Sequence, residues 1–309
     1  MRALYDVPAP AKLNLFLHVV GKRADGYHLL ESVFALIDWA DTLHFERRDD
    51  GQLVRHDRGD TLPPDDLCLR AARLLQQATD CAMGADIHIE KRLPSGAGMG
   101  GGSSDAASVL LALNRLWGLN LPRAQLLALG LKLGADVPFF IGGRNAFVQG
   151  IGEVLTPIDL APQTLAVLKP PVGIPTKEIF SSPFLARSDS SAIVAGFPAH
   201  ELEANAEVLA TRFVAQGRND LQAAALAFAA EVGEALKLLE SAESMHAQGD
   251  ARGVARMTGS GSAVFMPVSG ERGVLEQSMA TLLQARPASW IGKICRSLDH
   301  HPLMDWAEG

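Results

Sequence analysis

The sequence predicts an α+β fold in two domains, residues 1–162 and 163–309. Three observations carry this. Strand-like segments come in clusters, with helices interleaved between them. The chain has 309 residues, 48% of them hydrophobic and 20% charged, which is enough for a substantial core and more than one domain. The pattern breaks at Leu160-Ala161-Pro162-Gln163 and a new strand follows at once. No internal period of about 20–50 residues is visible, which excludes a repeat architecture.

The elements follow in order. Leu13–Val20 reads as a partly alternating strand, and Ser32–Leu36 and Thr42–Glu46 as two further strands. Asp65–Thr79 carries apolar residues at 67, 71, 74, 75 and 78, the spacing of a helix that buries one face. Ala85–Lys91 is a strand, and a helix follows over Asp105–Trp117. Arg123–Leu133 is another helix, and Gly134–Phe140 a turn leading into apolar chain. Asn145–Gln149 and Gly152–Pro157 form a hairpin. In the second domain Thr164–Leu168 is a strand, and Ala204–Ala215 and Leu221–Glu240 are alanine-rich helices. Met257–Met266 is a glycine turn running into a strand, Gly273–Gln284 a helix and Trp290–Arg296 a closing strand.

Between the strand Ala85–Lys91 and the helix Asp105–Trp117 lies Pro94-Ser95-Gly96-Ala97-Gly98-Met99-Gly100-Gly101-Gly102-Ser103-Ser104. Glycine has no Cβ, so its backbone reaches positive φ and approaches a ligand closely. Successive N–H groups in such a loop converge on an anion. The helix start adds open donors and a partial positive charge. A glycine loop feeding a helix reads as a phosphate site rather than a flexible linker, which is not usually followed at once by a strong apolar helix, and the Ser103 and Ser104 hydroxyls add donors at its mouth. The pattern G-x-x-x-x-G-K-[ST] fails, because Ser103 follows Gly102. The dinucleotide pattern G-x-G-x-x-G matches at Gly96, Gly98 and Gly101, but no strand feeds directly into Gly96. No acid stands in Leu116–Asn120, about 20 residues on. That disfavours a nicotinamide-dependent dehydrogenase.

Three other segments carry polar chemistry. Lys12 and Asn14 lie two residues apart on one face of a strand, a cation beside an amide. Lys12 reads either as an edge-strand gatekeeper or as part of a binding face. Asp136, between Gly134-Ala135 and Val137-Pro138, reads either as a turn aspartate or as a proton acceptor for an alcohol. A lysine beside it would keep it ionised and offset charge on a transferring phosphoryl group. Thr258-Gly259-Ser260-Gly261-Ser262 is a second glycine turn, able to close over phosphates beside the first.

The form P-x-x-x-G-(M/L)-G-x-x-S-S-x-A fits the first loop, with Met99 at a position where many relatives have leucine. This loop, the opening Ala11-Lys12-Leu13-Asn14-Leu15, and Gly134-Ala135-Asp136-Val137-Pro138-Phe139-Phe140 occur in the order of the GHMP small-molecule kinases, and the chain resembles that family over nearly its whole length. The resemblance implies mixed and antiparallel sheets packed against helices, with the site in the cleft between the domains. It implies Lys12 and Asp136 as the catalytic pair, Pro94–Ser104 as the ATP loop, and ATP with Mg²⁺ as cofactors. The segment Lys22-Arg23-Ala24-Asp25-Gly26-Tyr27-His28 is the most discriminating. It resembles members that take a cytidine-diphosphate-linked polyol, rather than the homoserine or mevalonate types. It implies that Tyr27 and His28 contact the cytidine, with Phe180 on the other side of the base. Asn14 then belongs to the substrate side and Gly259, Ser260 and Gly261 to the phosphate side. No protein ligand for the metal is assigned, and Asp105 reads as an N-cap residue at the loop.

A net charge of −7 opposes a nucleic-acid or membrane-surface partner, and with it an RNA-binding module. The expected partner is a small molecule. The first residues show no signal-peptide core, and no stretch approaches the roughly 18 apolar residues of a membrane helix. Cys68, Cys81 and Cys295 are scattered and odd in number, as in a reducing cytoplasm. His300-His301 reads as a solvated pair rather than a metal site.

Overall fold

The computed structural model describes residues 1–59, 61–187, 217–242, 245 and 254–308. The helix expected over Ala204–Ala215 lies outside them. Six strands form the first sheet: β1 (Ala3–Lys22), β2 (His28–Arg48), β3 (Leu53–Arg58), β4 (Gly84–Glu90), β5 (Ala146–Gln149) and β6 (Val154–Pro157). β2 is the spine. β1 lies antiparallel along one of its edges, and β4 and β5 pair with opposite ends of the other edge. β3 joins β4 in parallel, and β6 pairs with β5 as the expected hairpin. A second, antiparallel sheet has the order β10-β7-β9-β8, built from β7 (Thr164–Lys169), β8 (Arg256–Met257), β9 (Val264–Val268) and β10 (Ile291–Arg296).

β1 and β2 are far longer than their sequence signals. Four register shifts interrupt the β1–β2 ladder, so side-chain alternation restarts along it. Pro8 and Pro10 sit inside β1 because it is an edge strand of its sheet, where a missing N–H costs little. β2 continues through Asp41, whose carboxylate is fully buried and accepts hydrogen bonds from the Arg92 and Leu93 N–H groups. The polar edge strand β3 has no sequence signal of its own.

Helices α1 (Leu67–Ala78), α2 (Gly101–Leu116), α3 (Arg123–Leu133) and α4 (Val137–Gly142) share a core with the first sheet. Helices α5 (Thr176–Phe180), α6 (Gln222–Phe228), α7 (Ala230–Ser241) and α8 (Arg272–Gln284) belong to the second half of the chain, and residues of α5–α8 share a core with the second sheet. A third cluster joins the sheets, with Ala11, Leu13 and Phe16 of β1 against Leu165, Val167 and Phe265. The expected helix Leu221–Glu240 is two helices, because Ala229 takes an extended φ of −145°. Gly134–Phe140 continues into α4, with Pro138 in its first turn, where a missing N–H breaks no helical bond.

α2 begins at Gly101 rather than at Asp105, and Gly100 is its N-cap. Asp105 is therefore inside the helix, and its reading as an N-cap residue is overturned. The pair at 300–301 also departs from expectation. His301 is 1% exposed, and its Nδ1 accepts a hydrogen bond from the Leu303 N–H. That nitrogen is held by the fold, so the solvated reading fails at His301.

Candidate active site

The outer edge of β1 organises the site. Buried backbone donors require partners, and on β1 loops supply them. Lys12 N–H donates to the Met99 carbonyl at 3.0 Å, and Asn14 N–H to Thr258 Oγ1 at 2.8 Å. Leu17 N–H donates to Arg218 O at 2.9 Å and Val19 N–H to Asp220 Oδ2 at 2.9 Å. One strand thus docks the first glycine loop, the second glycine turn and the segment around Asn219.

The two glycine turns pack directly on each other. Gly98 has φ +72°, and a Cβ there would stand 2.4 Å from the Thr258 carbonyl oxygen. A Cβ on Gly259 would meet the Gly98 carbonyl oxygen at 2.6 Å. Ser262 N–H donates to Gly96 O at 3.1 Å and Ala263 N–H to Ala97 O at 3.2 Å. Asn219 holds the second turn from beneath, donating from Nδ2 to Met257 O and Gly259 O, both at 2.8 Å. No side chain caps α2, so its first N–H groups stay open to an anion. Ser104 does not sit at the mouth. It is fully buried, and its Oγ donates to Pro10 O at 2.6 Å, tying α2 to β1.

Lys12 and Asp136 meet across the cleft, with Lys12 Nζ 3.7 Å from Asp136 Oδ2. Lys12 is 4% exposed, so it is no gatekeeper. Burial pushes its ammonium pKa down, and the Asp136 charge opposes that. Its Nζ also donates to Asn14 Oδ1 and stands 4.3 Å above the Phe34 ring centroid. Asn14 Nδ2 donates to Ser32 Oγ at 2.9 Å, and Ser32 Oγ donates to Phe16 O. This chain fixes the Asn14 amide so that its oxygen faces the lysine. Asp136 precedes α4 but caps nothing. Val137, Phe139, Phe140 and Ile141 behind it are buried, each side chain contributing roughly 1.5–3 kcal/mol. They hold the partly exposed carboxylate on the cleft side.

This pair lines the central one of three adjoining cavities. The central one, about 330 Å³, is lined by Lys12, Asn14, Asp136 and Phe180, by Gly96, Gly98 and Gly100, and by Gly259, Ser260 and Gly261. A second, about 270 Å³, lies across the glycine loop and is lined by Pro94–Gly102 with Leu62, Lys91 and Asp105. A third, about 420 Å³, adjoins the central one at Leu30, Ile151, Thr176 and Phe180, and is lined by Tyr27 and His28. Tyr27 is exposed, while the His28 and Phe180 rings stack at 5.1 Å between centroids. Burial, with the charges of Lys22 and Arg187, lowers the His28 pKa and favours the neutral ring.

Several site residues carry no sequence signal. In the second cavity Lys91 sits between two buried carboxylates, 2.6 Å from Asp105 Oδ2 and in contact with Asp41. Burial works against the Lys91 ammonium, but Asp105 and Asp41 outweigh it and raise its pKa. Burial and the Asp41 charge push the Asp105 pKa up against the pull of Lys91. Ser32, Phe34, Thr258 and Asn219 likewise act through contacts far along the chain. Of these, only Thr258, beside the second glycine turn, had a local cue.

Comparison with known proteins follows the same lines. Residues 66–144 match the GHMP kinases N terminal domain. The chain is 59% identical over 309 residues to the 4-diphosphocytidyl-2-C-methyl-D-erythritol kinase of Methylibium petroleiphilum, covering 99% of each chain. It is 54% identical to the enzyme of that name from Ralstonia nicotianae, covering 98% of this chain and 97% of the relative. A crystal structure of 4-(cytidine 5'-diphospho)-2C-methyl-D-erythritol kinase superposes with a TM-score of 0.72 at 30% identity, over 94% of this chain and 98% of that one. Homoserine kinase from Cytophaga hutchinsonii superposes with a TM-score of 0.69 at 17% identity, over 97% of this chain and 96% of that one, a likeness of fold alone. The chain belongs to the GHMP kinase family, and within it to the 4-diphosphocytidyl-2-C-methyl-D-erythritol kinases.

Proposed function

We propose that the protein transfers the γ-phosphoryl group of ATP to the 2-hydroxyl of 4-diphosphocytidyl-2-C-methyl-D-erythritol, in the non-mevalonate route to isoprenoids. The observation that carries the site assignment is the continuity of the three cavities. The Lys12–Asp136 pair lies in the middle, with the glycine loop on one side and Tyr27, His28 and Phe180 on the other. A donor nucleotide fits the first side and a base-bearing acceptor the second. Homoserine and mevalonate carry no base for the aromatic side to hold.

In this reading Asp136 orients the 2-hydroxyl and takes its proton as the oxygen attacks the γ-phosphorus. The bond from phosphorus to the ADP oxygen breaks, and ADP leaves. Lys12 balances the charge that spreads over the transferring group. Asn14 keeps the ammonium in place, and Ser32 keeps Asn14 in place. The loop N–H groups and the start of α2 hold the phosphates, on a loop packed so closely that added Cβ atoms at Gly98 and Gly100 would meet the Thr258 carbonyl and the Phe140 ring. Mg²⁺ bound with ATP supplies neutralisation of phosphate charge. Among the described residues no group of three or more His, Cys, Asp or Glu could hold a metal, and Asp105 is engaged by Lys91. Mg²⁺ is expected to arrive with ATP, on phosphate oxygens and waters, and no protein ligand for it is assigned.

The cytosine is proposed to lie between Tyr27 and Phe180 with His28 at its edge, which requires the base to displace the His28 ring from the face of Phe180 on which it stacks. We assign residues 1–162 and 163–309 as the two domains, and the cytoplasm as the location. Among the described residues no helix is long and apolar enough to cross a membrane, and Cys68, Cys81 and Cys295 are free thiols. The test is purified protein with ATP, Mg²⁺ and the cytidyl substrate, followed by ADP release. Homoserine and mevalonate serve as rival acceptors, and turnover of either in preference to the cytidyl compound rejects the reading.

A further inference from the structure

Lys169, the last residue of β7, is 7% exposed and forms no ion pair among the described residues. A buried ammonium without a counter-ion is costly, and burial lowers its pKa. Its Nζ donates instead to two carbonyls of the segment that follows, Pro170 O at 2.6 Å and Val172 O at 2.8 Å. Val172 O also accepts from Ser262 Oγ, and the Ser262 N–H donates to Gly96 O. One residue on, Gly173 presses on the first glycine loop, where a Cβ on Gly96 would meet the Gly173 Cα at 3.1 Å. Three residues further, α5 begins and carries Thr176 and Phe180 into the central and third cavities.

We infer that Lys169 is a positioning residue for the acceptor site: by drawing the Pro170 and Val172 carbonyls around its ammonium it shapes the 170–174 segment, which Ser262 and Gly173 dock on the glycine turns, and so sets where α5 presents Thr176 and Phe180. The inference rests on the proposed assignment of those cavities to the acceptor. The glycine loop is held independently by β1, at Lys12 N–H to Met99 O, and by the second turn, at Ala263 N–H to Ala97 O. α5 spans only five residues, too few to hold its place alone. Loss of the ammonium therefore falls on acceptor binding and spares the donor.

The experiment is steady-state kinetics on full-length protein carrying Lys169→Met, with each substrate varied in turn. The expected result is a rise of about tenfold in the KM of the cytidyl substrate, with kcat and the KM of ATP within about twofold of wild type. An unchanged cytidyl KM in folded protein overturns the inference, and so does an equal rise in both KM values. If Lys169→Met does not fold, Ser262→Ala removes the other side-chain donor on Val172 O. It should raise the cytidyl KM about threefold by itself, and no rise overturns the inference. A wild-type protein that leaves the cytidyl compound unphosphorylated overturns the functional reading, and this inference with it.

Discussion

Asp136 and Lys12 sit 3.7 Å apart, and the buried side chains behind Asp136 leave it little freedom. Asp136→Asn keeps the shape of the side chain and removes its ability to take a proton. Turnover should fall by about 10²–10⁴-fold, while ATP binding, measured by titration, stays within about twofold. A variant with near wild-type turnover would remove Asp136 from the role of base. On the proposed acceptor side, Tyr27 is an exposed aromatic outside the core. Base–aromatic stacking is worth about 1–3 kcal/mol, so Tyr27→Ala should raise the cytidyl KM about tenfold and leave that of ATP unmoved. If the ATP value moves instead, the two nucleotide sides are exchanged. Lys12, Asn14 and Asp136 are legible in the sequence because their neighbours form short, distinctive runs. Ser32 is not, because its bond to Asn14 spans 18 positions and a lone serine in a strand has no signature. Thr258 bonds Asn14 across 244 positions, a pairing that only the fold brings about.

Glycine at 98 answers to a backbone constraint, and its neighbours in the loop do not all share it. An alanine at 98 would need φ near +72° and would drive its Cβ to 2.4 Å from the Thr258 carbonyl. The two glycine turns would have to part, so Gly98→Ala should weaken ATP binding at least about tenfold. Gly102 is different. It lies in α2 without positive φ, and a Cβ there meets nothing nearer than Leu67 Cδ1 at 3.6 Å. Gly102→Ala should bind ATP near normally, since alanine favours the helix. Calorimetric titration of both variants decides the matter, and equal affinities would show that loop composition rather than backbone geometry matters. α3 is legible to the residue because Pro122 and Gly134 bracket it, and α1, with its apolar stripe, is legible to within two residues. β1 and β2 are legible only in pieces, because register shifts and both-sided burial scramble their alternation. The start of α2 is masked by the same glycines that are proposed to hold the phosphates.

Across the whole molecule, the chain returns to where it began. Leu298 N–H donates to Leu36 O, Arg123 N–H to Glu308 O, and Asn145 Nδ2 to Leu298 O. The last dozen residues thus strap the first sheet and its helices, although they follow the second sheet in sequence. The break in pattern at 160–163 is visible in the sequence, but a returning tail is not, because its hold lies in hydrogen bonds to distant carbonyls. His301 anchors this strap. Its N–H donates to Gly143 O at 2.8 Å, its Nδ1 accepts from Leu303, and its Nε2 has no hydrogen-bond partner among the described residues. Burial, aided by the Arg123 charge, pushes its pKa down to about 3 from 6.5. Between those two values the unfolded chain binds a proton that the folded chain refuses, so lowering the pH through this window favours unfolding. Above 6.5 both states are neutral and His301 adds no pH dependence. His301→Asn offers an oxygen to Leu303 N–H and has no titratable ring. Its melting temperature should fall less steeply between pH 6.5 and pH 4 than that of wild type, measured by calorimetry over a pH series. Carboxylates such as Asp57 and Asp86, held below their usual range against burial by Arg55 and by His56 with Arg48, lose their own stabilisation as pH falls. They act equally in both proteins, so the difference between the two curves isolates His301. Parallel curves would mean that the strap loosens before the histidine is called on to titrate.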